Sequence, residues 1–189
     1  MSRMPRTMDD DALMIRTAEG EEAAFRLLVQ RWERDVLSFL IHMTGSVEEA
    51  EDLVQDTFVQ VFRKAGSYQA VGMFKSWLFR IAGNLARSRL RRRKILRWVS
   101  FDPGVHDTGG AEPGPDEDLE TSQREEAVRA ALSRLPGRQR EALALHRFQG
   151  MRYKEVAEAM NTTVPGVESL IQRAMAALRE DFAGKGDQL

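Results

Sequence analysis

Cysteine is absent from the 189-residue sequence, and its absence excludes several kinds of site. A chain without thiols has no disulfide, no thiolate nucleophile and no zinc-thiolate centre. The three histidines, His42, His106 and His146, lie far apart and do not have the spacing of metal ligands. We expect them to be structural or at the surface, and we expect the protein to need no metal or other cofactor.

Long apolar runs are also absent. No stretch approaches the length of a membrane-spanning helix, and the N-terminal MSRMPRTMDDD lacks the apolar core of a signal peptide. The sequence therefore predicts a cytoplasmic protein without membrane insertion. It also contains no carboxylate pair framed by a histidine and no phosphate-cradling glycine loop, so an enzyme is the class that it favours least.

The net charge of −1 hides a strong separation of charge along the chain. Seven basic residues and no acidic ones lie between Asn84 and Arg97, whereas acidic residues dominate the segment that follows. Apolar residues make up 42% and charged residues 30% of the sequence, which is ordinary for a folded, helix-rich protein. The length is enough for one domain or two small ones.

The stretch from Phe74 to Trp98 joins this basic run to an apolar beginning. Apolar residues recur at three- and four-residue intervals as far as Leu85, which predicts one buried face of a helix. Such a helix suits a polyanion whose bases are also contacted, because guanidinium groups neutralise phosphates and aromatic rings stack on unpaired bases. The alternative is a basic helix end that is merely solvated.

Helical patterns precede this stretch. From Asp9 to about Thr44 the pattern is helical, with one continuous apolar stripe from Phe25 to Met43, and Gly45 is expected to end the helix. Ser46 and Glu49 then predict a capping box at the start of the next helix. That helix has a polar, mostly acidic side, formed by Glu48, Glu51, Asp52, Gln55 and Asp56. This side either docks on a basic partner helix or merely places favourable charge near a helix start.

Two segments that flank the central stretch are predicted to be non-helical. Gly66 to Gly72 contains two glycines and a tyrosine that we expect to be exposed, and it predicts a loop into the central helix. Residues from about Ser100 to Glu120 are acidic, rich in proline and glycine, and poor in large apolar side chains. Such a segment cannot bury enough surface to offset chain entropy. The sequence therefore predicts two helical modules joined by a mobile acidic linker.

The second module contains the pattern of a helix-turn-helix. A short helix from Tyr153 to Met160 is followed by a polar break at residues 161–163 and by a helix from Val164 to about Phe182. The alternative is an ordinary helical hairpin. In a helix-turn-helix the N-terminal residues of the second helix enter the major groove, so the candidates for DNA contact are Thr163, Pro165, Gly166, Glu168, Ser169 and Gln172.

Four segments occur in an order that resembles the extracytoplasmic-function (ECF) sigma factors, the smallest branch of the sigma-70 family of bacterial transcription initiation factors. They are EEAEDLVQDTFVQVF, FKSWLFRIAGNLARSRLRRR, LPGRQREALALHRFQG and YKEVAEAMNTTVPGVESLIQRAMAALR. The resemblance implies an all-α protein of two small helical domains. These are a sigma2 domain at residues 9–98 and a sigma4 helix-turn-helix domain at 122–182, and a flexible acidic linker at 99–121 joins them.

The resemblance also implies a function that is not enzymatic. The chain would bind core RNA polymerase, recognise the −35 and −10 promoter elements and help to open the DNA, while the polymerase supplies catalysis. The acidic helix is similar to the surface that docks on the clamp helices of the polymerase β′ subunit. The resemblance therefore assigns polymerase binding to Asp52, Gln55, Asp56 and Phe58.

For the −10 element the resemblance implies two groups of residues. The loop and the start of the central helix are similar to the part that opens the DNA and captures a flipped base, which here contains Tyr68, Phe74, Lys75 and Trp77. Positions of −10 recognition are matched by Asn84, Arg87, Ser88 and Arg91. The rest of the basic run, which includes Arg92, would hold phosphates.

The sigma4 domain is implied to bind the −35 element and the polymerase β flap. Many members carry basic residues in the recognition helix where this sequence has Glu168 and Leu170. Phosphate contact there is therefore assigned to Arg152, Lys154 and Arg173. The linker would thread toward the RNA exit channel, and an anti-sigma factor is an expected partner because such proteins commonly control this family.

Two other classes of function remain open from the residues alone. One is a stand-alone repressor or activator, which would bind duplex DNA without polymerase. The other is an all-helical adaptor whose charged faces bind only proteins.

Overall fold

The computed structural model describes residues 9–99 and 119–186, with side chains described for 9–95 and 127–183. Every regular element in those ranges is helical, as the sequence predicted. The α-helices are α1 Asp10–Ala18, α2 Glu22–Thr44, α3 Val47–Arg63, α4 Phe74–Val99, α5 Leu119–Arg134, α6 Gly137–Leu143, α7 Tyr153–Met160 and α8 Val164–Gly186. A 3₁₀ turn, Ala65–Ser67, follows α3, and a π-helical segment, Ala144–Phe148, continues α6.

The first helical segment is divided in two, whereas the sequence predicted an undivided helical pattern over residues 9–44. Gly20 follows α1 with φ of +90°, a conformation that residues with a side chain rarely adopt. The chain turns at this point, so that α1 packs back against α2. Gly45 ends α2 as predicted, with φ of +78°. Ser46 Oγ then accepts a hydrogen bond from the backbone N–H of Glu49 at 3.2 Å, which caps α3.

Helices α1 to α4 form a first unit around a core of aromatic and aliphatic side chains. Phe39 of α2 meets Phe79 of α4 edge to face, with ring centroids 5.3 Å apart, and both are fully buried. Trp32 packs against Phe74 and Phe79 with centroid distances of 6.0 and 6.3 Å. Edge-to-face aromatic pairs add to the stabilisation from burial. These contacts hold the start of α4 firmly on α2.

Helices α5 to α8 form a second unit, and α7 and α8 have the predicted helix-turn-helix arrangement. Asn161, with φ of +48°, ends α7 in the left-handed region. Thr163 Oγ1 accepts a hydrogen bond from Gly166 N at 3.2 Å and caps α8. Ala157 is buried where the helices cross. Of the residues that were predicted to pack between these two helices, Leu170 is half-buried, and the others are buried: Val156, Met160, Val167 and Ile171.

The two units pack against each other and share one core. Helix α4 of the first unit lies against α7 of the second, and α2 contacts α5, α6 and the π-helical segment. His42 of α2 stacks on Phe148 with ring centroids 3.8 Å apart. Residues 100–118 of the predicted linker lie outside the residues that the structure describes. Helix α4 extends to Val99, and α5 begins at Leu119.

Candidate nucleic-acid and polymerase interfaces

The C-terminal half of α4 presents the basic run to solvent. Its exposed side chains include Asn84, Arg91, Arg92, Arg93 and Lys94. Two of its arginines approach acidic side chains of α3, with Arg93 Nη1 3.4 Å from Glu49 and Arg89 Nη1 4.0 Å from Asp52. Exposed pairs of this kind contribute little to stability. A phosphate group can therefore displace them at small cost.

Arg87, which was predicted to recognise the −10 element, is paired with a residue of the second unit. Its guanidinium contacts the Glu141 carboxylate of α6 and also donates to Asn84 Oδ1. Glu141 is fully buried, and Gly83 makes room for its carboxylate because a Cβ at that position would collide with it. Burial raises the pKa of Glu141, while the Arg87 guanidinium opposes that rise. Ser88, the next predicted residue, is half-buried.

Three further side chains on α4 donate hydrogen bonds to backbone carbonyls of the second unit. They are Lys75 Nζ to Gln149 at 2.7 Å, Ser76 Oγ to Glu155 at 3.1 Å and Arg80 Nη2 to Glu158 at 2.5 Å. Arg140 of α6 reaches the opposite way and donates to the Met43 carbonyl of α2 at 2.6 Å. The second unit therefore covers part of the surface that was predicted to meet the −10 element, at Lys75 and Arg87, while Asn84, Arg91 and Arg92 stay exposed.

The loop before α4 forms one wall of a cavity of about 350 Å³. Its lining includes Ser67, Tyr68, Gln69 and Val71 from the loop, Trp77 and Arg80 from α4, and Glu158 from the second unit. The Tyr68 and Trp77 rings meet at 4.9 Å between centroids. Tyr68 is half-buried, so the expectation that it is exposed was wrong: it packs on Phe74 and Trp77. Phe74 is 3% exposed and lies in the core, and it is not part of the cavity lining.

The predicted polymerase-binding residues lie on α3. Asp52, Gln55 and Asp56 are exposed, whereas Phe58 is 6% exposed and packs inward. An apolar groove of about 460 Å³ runs between α2 and α3 beside them. Its apolar lining comes from Phe25, Phe58, Val59 and Phe62. This face therefore offers acidic groups next to exposed apolar surface.

The predicted −35 residues are accessible around the start of α8 and α7. The exposed ones are Arg152, Lys154, Thr163, Pro165, Glu168, Gln172 and Arg173, and the half-buried ones are Gly166 and Ser169. Arg152 forms a capping box with Glu155, whose carboxylate accepts from the Arg152 backbone N–H at 2.7 Å and from its Nη2 at 3.2 Å. Arg173 donates to Ser169 Oγ at 2.7 Å. Both arginines are thus held in place on the exposed face.

Sequence reasoning missed three buried polar residues, Asp11, Arg140 and Glu141. Arg140 donates to three carbonyls across both units, and Glu141 pairs with Arg87. Asp11 accepts two hydrogen bonds from the loop before α4. The sequence around these residues carries no signal for the contacts with Tyr68, Arg87 and Met43, because each of these partners is 54 or more residues away. Only the bonds from Arg140 to the Ser133 and Leu135 carbonyls are local.

The candidate binding surfaces among the described residues are the basic end of α4, the loop cavity, the acidic face of α3 and the start of α8. Within the same residues there is no cluster of three or more His, Asp or Glu side chains that could hold a metal ion. None of the described helices is both long and apolar enough to cross a membrane.

Comparison with known proteins accounts for both units. Models of sigma-70 region 2 and sigma-70 region 4 match residues 28–95 and 125–178. The RNA polymerase sigma-H factor of Pseudomonas aeruginosa is 30% identical over 177 residues, which cover 89% of this chain and 91% of that protein. The ECF RNA polymerase sigma-E factor of Haemophilus influenzae is 30% identical over 184 residues, which cover 90% of this chain and 94% of that protein. The solved structure of the sigma factor RpoE with the anti-sigma factor NepR from Bartonella quintana is similar, with a TM-score of 0.68, 28% identity, and coverage of 82% of this chain and 94% of that one. The chain belongs to the sigma-70 family of RNA polymerase sigma factors, in its ECF branch.

Proposed function

We propose that this protein binds core RNA polymerase, recognises the −35 and −10 promoter elements and helps to open the DNA, without catalysing a reaction itself. The observation that carries the proposal is the arrangement along α4, where the loop cavity lies at the start of the helix and the basic surface at its end. We assign its place of action to the cytoplasm, where the polymerase is.

Promoter opening is assigned to the first unit. An extruded base needs a pocket with aromatic and polar walls, and the cavity beside Tyr68 and Trp77 has a suitable size and lining. The basic run beyond it neutralises phosphates and releases counterions. Asn84, Arg87, Ser88 and Arg91 would contact the −10 element between these two regions. Capture of the base offsets part of the lost stacking energy.

The closed packing of the two units must open before this function is performed. The −35 and −10 elements are centred about 25 base pairs apart, which is roughly 85 Å of B-form DNA at 3.4 Å per base pair. A compact protein of 189 residues has a radius of gyration of only about 16 Å. In the closed form Lys75 and Arg87 also contact the second unit rather than DNA. Separation of the units frees these side chains and allows both elements to be bound at once.

The interface between the units is suited to opening because it buries charged groups. Arg140 and Glu141 are 7% and 0% exposed, and each regains water when the units separate. The desolvation cost of each buried charge offsets much of what it gains from its partners, which are the Met43 carbonyl for Arg140 and the Arg87 guanidinium for Glu141. The closed packing is therefore less stable than an apolar interface of the same area would be.

Polymerase docking is assigned to the acidic face of α3. Asp52, Gln55 and Asp56 would meet basic groups on the β′ clamp helices, and Phe58 would support this face from within rather than contact the partner. The adjacent groove lined by Phe25 and Phe62 adds apolar surface of the kind that protein interfaces use at their centre.

The second unit is assigned to the −35 element and to the β flap. The start of α8 would enter the major groove, with Arg152, Lys154 and Arg173 on the phosphates. An anti-sigma factor is the expected regulatory partner, since the similar RpoE structure was solved with one. The acidic segment 99–121 would join the two units and thread toward the RNA exit channel.

Transcription from a promoter library tests the proposal. Purified core polymerase is compared with and without this protein, and the transcripts are sequenced. We expect new transcripts that start at a fixed distance downstream of a shared two-part motif. An absence of new transcripts, together with duplex binding that needs no polymerase, would instead support a stand-alone regulator.

A further inference from the structure

Asp11 joins α1 to the loop that precedes α4, although these segments are far apart in sequence. Its side chain is largely buried, at 8% exposure. Asp11 Oδ1 accepts a hydrogen bond from the Tyr68 hydroxyl at 2.5 Å, and Asp11 Oδ2 accepts one from the backbone N–H of Gly72 at 2.5 Å. One planar carboxylate therefore holds both ends of the segment 68–72.

The carboxylate is itself held rigidly. Leu13 and Met14, which follow it on α1, are fully buried and belong to the core that α1 shares with α2. Hydrogen bonds to an ionised carboxylate are stronger and shorter than neutral ones. Burial and the neighbouring Asp11 carboxylate raise the pKa of Tyr68, so its hydroxyl stays protonated and continues to donate.

The loop held in this way forms a wall of the 350 Å³ cavity. Tyr68 lines the cavity next to Trp77, and the Gly72 end of the loop leads into α4. Gly72 has φ of +74°, so the backbone there adopts a conformation that favours glycine. Loss of the carboxylate would remove the side-chain hydrogen bonds at both ends of the loop and leave Tyr68 held by its packing on Phe74 and Trp77, so the position of the wall would be less well defined.

The neighbouring acidic residue on α1 provides a contrast. Asp10 instead forms an ion pair with Arg31 of α2. The two aspartates lie in the same helix turn and carry the same charge, but Asp11 bonds to the loop before α4 whereas Asp10 pairs with α2. A comparison of the two therefore separates the loop contact from general effects of charge or of α1 stability.

We propose that Asp11 is a positioning residue that preorganises the loop 68–72 for capture of an extruded −10 base. The inference rests on the proposed function. Preorganisation matters because a loop that must order on binding spends part of the binding free energy on lost conformational freedom. Asp11 acts through Tyr68 and Gly72 and does not itself touch DNA.

The test measures base preference at each promoter position. A promoter found in the library experiment is varied one base at a time through the −10 and −35 elements. Transcription by polymerase with the wild-type protein is compared with that of Asp11→Ala, Asp11→Asn, Tyr68→Phe and the control Asp10→Ala. Polymerase binding and thermal unfolding are measured for each variant.

We expect Asp11→Ala to reduce the preference at one −10 position by about tenfold, equivalent to one hydrogen bond to a charged group. Preferences at the −35 element and polymerase binding should remain. Asp11→Asn should retain part of the preference, because its amide oxygen can accept from Gly72 N–H. Tyr68→Phe, which loses only one of the two bonds, should also have an intermediate effect, and Asp10→Ala should match the wild type.

Two results would overturn the inference while leaving the proposed function intact. One is an Asp11→Ala protein that keeps the wild-type preference at every position. The other is a parallel loss at the −10 and −35 elements, or an equal effect of Asp10→Ala, since either would indicate a general structural role. A wild-type protein that yields no promoter-specific transcripts would overturn the proposed function and this inference together.

Discussion

At the scale of single residues, the Arg87–Glu141 pair has the largest consequences. Glu141 is fully buried, and its Oε2 atom has no hydrogen-bond partner among the described residues. Arg87 is the basic group that contacts its other oxygen, and the Arg87 side chain is 30% exposed. The pair is therefore asymmetric: the carboxylate depends on the guanidinium, whereas the guanidinium also has access to water.

Arg87→Ala should open the closed arrangement much more than Glu141→Gln. The alanine variant leaves an unpaired buried carboxylate, which costs about 3 kcal/mol or more and is relieved when the units separate. The glutamine variant buries no charge, so its cost should be small. Spin labels at Glu33→Cys and Arg179→Cys, exposed sites on α2 and α8 of a cysteine-free chain, report the separation by their distance distribution.

The control for this comparison is Arg91→Ala, which removes an exposed arginine from the same helix. It should leave the label distances unchanged, since surface substitutions change stability by only about 0.5 kcal/mol. Equal opening by Glu141→Gln and Arg87→Ala would contradict the proposed asymmetry.

The closed arrangement should also become more stable as the pH falls. The pKa of Glu141 is raised by burial above its ordinary value of 4.5, so the closed state binds this proton more tightly than the open state. Protonation of Glu141 stabilises the closed state fully when the pH is below the ordinary pKa of 4.5, and this stabilisation is lost as the pH rises through the raised pKa. The same spin-label distances, measured from pH 8 to pH 5, should shift toward the closed form.

Glu141→Gln provides the matched control for the pH series, because it cannot titrate. Its distance distribution should depend less on pH than that of the wild type. A pH dependence that is identical in the two proteins would assign the effect to another group.

At the scale of helices, capping explains why α3 begins where the sequence predicted. Ser46 Oγ satisfies the Glu49 backbone N–H, one of the first amides that lack a partner within the helix. Ser46→Ala should lower the free energy of unfolding by about 1 kcal/mol in urea titration. Ser67→Ala is the control, since the exposed Ser67 hydroxyl donates to the solvent-exposed Lys64 carbonyl at the end of α3 and should matter little. An equal loss in both variants would argue against the cap.

The acidic face of α3 makes a second prediction at this scale. Reversal of both charges, in Asp52→Lys with Asp56→Lys, should weaken binding to core polymerase by about tenfold or more, because like charges would then face the partner. Reversal of two exposed acids on α2, Glu33 and Asp35, changes the net charge equally and should have little effect. Fluorescence anisotropy of labelled protein titrated with core polymerase measures the difference. Unchanged binding of the α3 variant would show that polymerase binding is assigned to the wrong face.

The helix-turn-helix was predictable at this scale because its signals are local. Asn161 ends α7, Thr163 caps α8, and the apolar residues recur at helical spacing. The division between α1 and α2 was missed for the opposite reason. The predicted apolar stripe runs only from Phe25 to Met43, and an isolated glycine within a helical pattern does not by itself mark an end, so the left-handed turn at Gly20 was not predicted.

At the scale of the whole molecule, the expected event is the separation of the two units. The distance between spin labels at positions 33 and 179 should be longer in the complex of polymerase with promoter DNA than in the free protein. The physical reason is that one compact body cannot span two separated promoter elements. Identical distances in both states would rule out opening as a step in promoter binding.

The sequence by itself determined most of the helical elements, the caps at Gly45, Ser46 and Thr163, the separation of charge and the family. These properties depend on residues that are close together in the chain, where helical periodicity and capping preferences act. The same local patterns marked the basic run of α4, the acidic face of α3 and the start of α8 as surfaces of interest.

Only the tertiary structure decided which of these surfaces are accessible. It placed Glu141 against Arg87, covered the start of α4 with α7, buried Phe58 and Phe74, and held the loop before α4 through Asp11. Each contact joins segments that are distant in the chain, and no periodicity or spacing encodes such a pairing. The burial and the pKa shift of a charged group arise from the packing of whole units, so they are decided only when the chain has folded.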